Sequence, residues 1–154
     1  PRAATPDRVD VGGLIEQQLD ALRPEIQARR LLVLKELDRS QAPAIGDRAA
    51  IAFAFEALLT RALAWVPERG DLYIASKTIA QGLRGGPTVR VVLRFHRPGE
   101  RRGGAAAPGA PPTDRELALD IVLADLAIRA QRGVVRIDAT DAEETMIAVD
   151  LPAG

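Results

Sequence analysis

From Asp47 to Pro67 the chain reads DRAAIAFAFEALLTRALAWVP, in which Ile51, Phe55, Leu58, Leu59, Ala62, Leu63 and Val66 recur at three- and four-residue steps. That spacing predicts a helix of about five turns with one broad apolar stripe. Asp47 is placed to cap its start, and Pro67 with Gly70 marks its end. A strand pattern follows within a few residues, so the helix is expected to lie across a sheet.

The same reading extends in both directions. Pro1 to Arg8 reads as a linker, and Asp10 can cap a first helix whose buried side is Leu14, Ile15, Leu19, Leu22 and Ile26. Pro24 weakens its second half by removing an amide donor. Leu31–Leu37 reads as a strand, and Ala44-Ile45 as a short edge strand. Asp71–Lys77 and Val89–Phe95 read as long strands joined by the glycine-rich Gln81–Pro87. In the second of these, Val89, Val91, Leu93 and Phe95 share one face, and Arg90 and Arg94 the other. His96–Pro112, rich in glycine, proline, alanine and arginine, has nothing to bury and reads as a mobile loop. Thr113 and Glu116 then form a capping box. The helix they open carries Leu117, Ile121, Ala124 and Ile128 and runs to about Gln131, with Gly133 as its stop. Strands at Val134–Ala139 and Met146–Leu151, joined by the acidic turn Asp141–Glu144, complete the chain. Alternating strands need a cover on one face only. The predicted architecture is an α/β two-layer sandwich, with three helices on one face of a mixed, mainly antiparallel sheet.

Composition narrows the function classes. At 154 residues and 47% apolar content the chain has material for one ordinary core. Basic and acidic residues balance at 21 each, so no net field recruits nucleic acid or anionic lipid. The absence of cysteine removes disulfides and thiolate metal sites, consistent with a reducing, cytoplasmic setting. No apolar run approaches the ~20 residues of a spanning helix, so no membrane contact is expected of this domain. A chain opening on Pro1 rather than methionine suggests a fragment of a longer protein.

Several stretches, in this order, carry a family resemblance: Val9-Asp10-Val11 before Leu14-Ile15; Arg29-Arg30-Leu31-Leu32-Val33-Leu34; Gly46-Asp47-Arg48 followed by Phe55-Glu56-Ala57-Leu58-Leu59-Thr60-Arg61; and the closing Asp150-Leu151-Pro152. Together with the element order, they resemble the ATP-binding domain of sensor histidine kinases, the Bergerat fold shared with gyrase and related ATPases. The resemblance covers Val9 to Pro152. It implies an ATPase-like domain over residues 9–154, with residues 96–112 as a lid-like loop.

The family's functional positions are altered in this sequence. Two asparagines on the family's central helix face the nucleotide, and the second ligates magnesium; here they correspond to Ala57 and Arg61. The basic residue expected next is Ala64, while the aromatic after it is kept as Trp65. The aspartate that binds the adenine amino group corresponds to Phe95. In the glycine box, Arg97 stands for the first glycine and Gly99 survives. The glycine-rich phosphate turn reads Glu116-Leu117-Ala118-Leu119, and Thr145 matches a hydroxyl residue that supports the adenine aspartate. Magnesium requires oxygen ligands that alanine and a guanidinium do not provide. Side chains at Glu116 and Leu117 would crowd a turn that glycine leaves open to phosphate.

The resemblance therefore implies a histidine kinase or kinase-like two-component protein with a vestigial nucleotide site and a docking or regulatory role. Neither ATP nor magnesium is expected to bind, and no catalytic residue or metal ligand is assigned. Dimerisation and phosphoacceptor helices are expected upstream, with a response regulator or other signalling protein as partner. Two alternatives remain open: an active kinase domain binding ATP through altered contacts, and the degenerate ATPase-like domain of a histidine phosphotransfer protein. His96 reads as a solvated loop histidine rather than a phosphoacceptor. Arg94, Arg97, Arg101 and Arg102 read as a solvated basic loop, Trp65 as a core or lid-packing residue, and Glu56 as a surface glutamate.

Overall fold

The computed structural model describes residues 5–96, 114–139 and 144–154. The central helix is α3, Arg48–Trp65, and the Asp47 side chain caps it by accepting from the Ala49 amide at 3.1 Å. Every residue of the predicted stripe is buried, from Ile51 to Val66, and so are Ala54 and Trp65. The buried surface is wider than one stripe because α3 has neighbours on three sides. The sheet lies beneath it, α1 (Val11–Ala21) is tied to one flank by Gln18 Nε2 donating to the Ala52 carbonyl at 2.9 Å, and α4 (Asp114–Ala130) runs along the other. Each fully buried large side chain contributes about 1.5–3 kcal/mol, so this helix dominates the core.

The sheet has five strands in the order β2-β4-β5-β7-β6: β2 Leu32–Leu37, β4 Asp71–Ile79, β5 Thr88–His96, β7 Glu144–Pro152 and β6 Val134–Asp138. Only β2 and β4 pair in parallel; the other ladders are antiparallel. Val89, Val91, Leu93 and Phe95 turn toward the helices, as their alternation requires. On the other face, Asp150 accepts from Arg90 Nε and Nη2 at 2.8 and 2.9 Å, with Arg136 Nη2 at 3.4 Å. The helix-covered, mixed sheet expected from the sequence is the one observed.

Some local expectations are corrected. The linker expected over residues 1–8 ends early, because Asp7–Val9 form β1. Its partner is β3, Ala44–Gly46, so the expected edge strand belongs to a separate two-stranded sheet. The first helix breaks at Leu22, and Pro24 sits in the opening turn of a short second helix, α2, Arg23–Ala28, where its missing amide costs nothing. His96 ends β5 opposite Glu144 instead of opening the loop, and Glu144 begins β7 rather than closing an acidic turn. The stop of α4 is also shifted. The left-handed residue is Arg132, at φ 64°, and the amides of Arg132 and Gly133 bond the Arg129 and Ile128 carbonyls, both at 2.9 Å. Gly133 is needed for proximity instead: a Cβ there would come within 2.5 Å of the Asp150 carbonyl oxygen. The loop beyond His96, the Thr113 half of the capping box and the turn over 141–143 lie outside the described residues.

Candidate functional site

The cap at Asp47 sets the phase of α3, so Ala57, Arg61 and Ala64, spaced by four and three, share the flank turned toward α4. Ala57 and Ala64 are half-buried. Arg61 reaches across to α4, where its Nε donates to the Asp120 carboxylate; the two side chains keep 23% and 33% of their exposure. One turn further along α3, the Trp65 indole stacks on the Phe95 ring, with centroids 5.9 Å apart and planes 26° apart. Phe95 in turn lies between Leu72 on β4 and Thr145 on β7, and both it and Thr145 are buried.

Arg61, Trp65, Phe95 and Thr145 thus converge on the end of the α3–sheet interface, although up to 84 residues separate them in sequence. Of the other expected positions, Arg97 and Gly99 are outside the described residues. Glu116 and Leu117 fall in the first turns of α4, and their side chains are outside them too.

The side chains described here are engaged in packing and charge pairing. The carboxylate here, on Asp120, is already engaged by a guanidinium, and Phe95 offers a ring with no acceptor. Among the described residues no three acidic or histidine side chains gather as a metal site. A cleft of about 720 Å³ lies between the start of α1 and the end of β2, lined by Asp10, Glu16, Lys35 and Asp38. Another, of about 630 Å³, lies beside Arg84, Gln131 and Arg132. Neither is lined by Arg61, Trp65, Phe95 or Thr145. Glu56 is exposed, and Arg94 lies over the Tyr73 ring at 4.9 Å and pairs with Glu144 at 3.7 Å.

Asp120 was not singled out from the sequence. Its only signal there is a charge inside the apolar run LALDIVLADLAI, and its partner is 59 residues away.

No protein-family model and no curated protein matches the sequence. Solved structures do match. The catalytic domain of histidine kinase ThkA superposes with a TM-score of 0.75 over 97% of this chain and 98% of that one, at 16% identity. The mycobacterial sensor histidine kinase MprB gives 0.70 over 96% and 97%, at 20% identity. The Acinetobacter baumannii histidine kinase AdeS gives 0.73 over 99% of this chain and 70% of that one, at 16% identity. The fold is that of histidine kinase catalytic domains. In ShkA, solved full-length in complex with AMPPNP, the match covers 99% of this chain and 32% of that one, with a TM-score of 0.74 at 16% identity. Domains of this shape therefore occur as parts of larger proteins. No helix among the described residues of this one is long and apolar enough to cross a membrane.

Proposed function

We propose that this chain is the ATP-binding-type domain of a sensor histidine kinase or kinase-like two-component protein, with its nucleotide site vestigial and a docking or regulatory role retained. It would work in the cytoplasm beside upstream dimerisation and phosphoacceptor helices, with a response regulator or other signalling protein as partner. The observation that carries the reading is the pairing of Arg61 with Asp120 beside the Trp65–Phe95 stack. The residues at the positions implied for metal and adenine are engaged by neighbours, Arg61 by Asp120 and Phe95 by Trp65. A divalent cation would have to displace a guanidinium and recruit oxygens that Ala57 does not have. An adenine would have to enter where a buried ring stands and would find no acceptor for its amino group.

No phosphoryl-transfer step follows from this arrangement, and none is assigned. What remains is a structured surface. On α4, Leu119, Val122, Leu123 and Leu126 are exposed at helical spacing, which suits a role in contact rather than chemistry.

Calorimetric titration with MgATP, checked by thermal shift, tests the proposal. No binding is expected at physiological concentrations, and the melting temperature should not move. Arg61→Asn alone should leave that result unchanged, because Phe95 still blocks the adenine position. A micromolar dissociation constant for the unaltered chain would overturn the vestigial reading and favour an active kinase domain using altered contacts.

A further inference from the structure

Residues 119–123 of α4 are held differently from the C-terminal half of the helix. That half is anchored by packing: Ala124 and Ile128 are fully buried. Its end is also closed by backbone bonds to the Ile128 and Arg129 carbonyls, and the Gln131 side chain accepts from the Asp47 amide at 2.7 Å. Residues 119–123 are held by less. Leu119, Val122 and Leu123 are 60%, 50% and 41% exposed, and Ile121 is only partly buried. Among the described residues, Asp120 ties this stretch by charge to α3. A helical turn that buries so little gains little from packing, and backbone bonds alone return less than helix nucleation costs.

We infer that the Arg61–Asp120 pair is an ionic latch that orders residues 119–123 of α4 against the central helix without any bound ligand, and that breaking it releases that stretch without loosening residues 124–131. The inference rests on the reading of this pocket as one filled by the protein's own side chains. The pair is well placed for the task. Both groups are shielded enough to interact more strongly than a surface pair, yet wet enough to separate without stranding a charge in the core. The released stretch carries the exposed Leu119, Val122 and Leu123. The latch therefore decides whether these apolar side chains stand on a fixed helical surface or on a frayed one.

Hydrogen exchange read by peptide mass on the whole chain tests the latch. Asp120→Ala removes the carboxylate while improving intrinsic helix propensity, so any loosening must come from the lost pair. Exchange across 119–123 is expected to rise by roughly tenfold, while 124–131 and the core of α3 keep their protection. Arg61→Met should have the same effect. The double exchange Arg61→Asp with Asp120→Arg should restore slow exchange. In the unaltered chain, raising salt from ~50 mM to ~1 M should loosen the same segment severalfold. Unchanged exchange in 119–123, or a uniform loss across α3 and α4, would refute a local latch. This outcome is independent of nucleotide titration: MgATP binding by the unaltered chain would refute the vestigial site, whereas exchange of α4 reports only the latch.

Discussion

Phe95→Asp is the substitution that most directly separates a filled pocket from an open one. It would place a carboxylate at the position that the family resemblance assigns to an adenine-binding aspartate. In this chain the ring it removes is 2% exposed, stacked on Trp65 and flanked by Leu72 and Thr145. Losing a buried phenyl group costs about 3–5 kcal/mol. A polar group left there without full hydrogen bonding adds about 1–3 kcal/mol, and Thr145 can offset only part of it. The total, about 4–8 kcal/mol, rivals the roughly 5–15 kcal/mol that stabilises an ordinary domain. The variant should therefore be marginal or unfolded rather than restored to nucleotide binding. Burial also raises the pKa of the new acid above its unfolded value, so its folded form is favoured at low pH and loses stability as pH rises through the folded pKa. Urea unfolding followed by the fluorescence of Trp65, the single tryptophan, provides the assay. A loss below about 1 kcal/mol, well short of the core value, would show that Phe95 lines a solvent-connected cavity and that the pocket is open rather than filled. Phe95→Leu is the control, expected to be much milder because it keeps apolar volume.

Arg132 holds a left-handed conformation that glycine adopts without steric cost, so Arg132→Gly should stabilise the fold by about 0.5–1 kcal/mol, read as a higher urea midpoint. Gly133→Ala next to it should instead destabilise by about 1–3 kcal/mol, because its Cβ meets the Asp150 carbonyl oxygen and Ile128; a neutral result would show that β7 yields easily at this point. The hydroxyl of Tyr73, the single tyrosine, donates to Glu36 at 2.6 Å, and that bond raises the phenol pKa above its ordinary value. A raised folded pKa means that this contribution to stability is present below the unfolded pKa and is lost as pH rises through the folded one. Glu36→Gln should shift the tyrosinate absorbance titration to lower pH, and an unmoved curve would show that the Glu36 bond is not the cause.

Periodicity alone fixed much of this protein. The stripe from Ile51 to Val66 determined α3, and the alternation from Val89 to Phe95 determined which face of β5 is buried, because burial must follow the 3.6- and two-residue repeats of helix and strand. The element order anticipated the two-layer sandwich, and with the stretches from Val9 to Pro152 it anticipated the kinase-type fold. Tertiary structure decided what has no local period. Asp7–Val9 became a strand only because Ala44–Gly46 lies beside it, and Arg132 accepts a left-handed conformation because Gly133 must pack against β7. The site depended most on the fold. Arg61 in sequence is a misplaced charge on an apolar helix, and Asp120 is an ordinary acidic residue on another. They become a pair because α3 and α4 pack side by side, and a contact spanning 59 residues leaves no trace in the spacing of either segment.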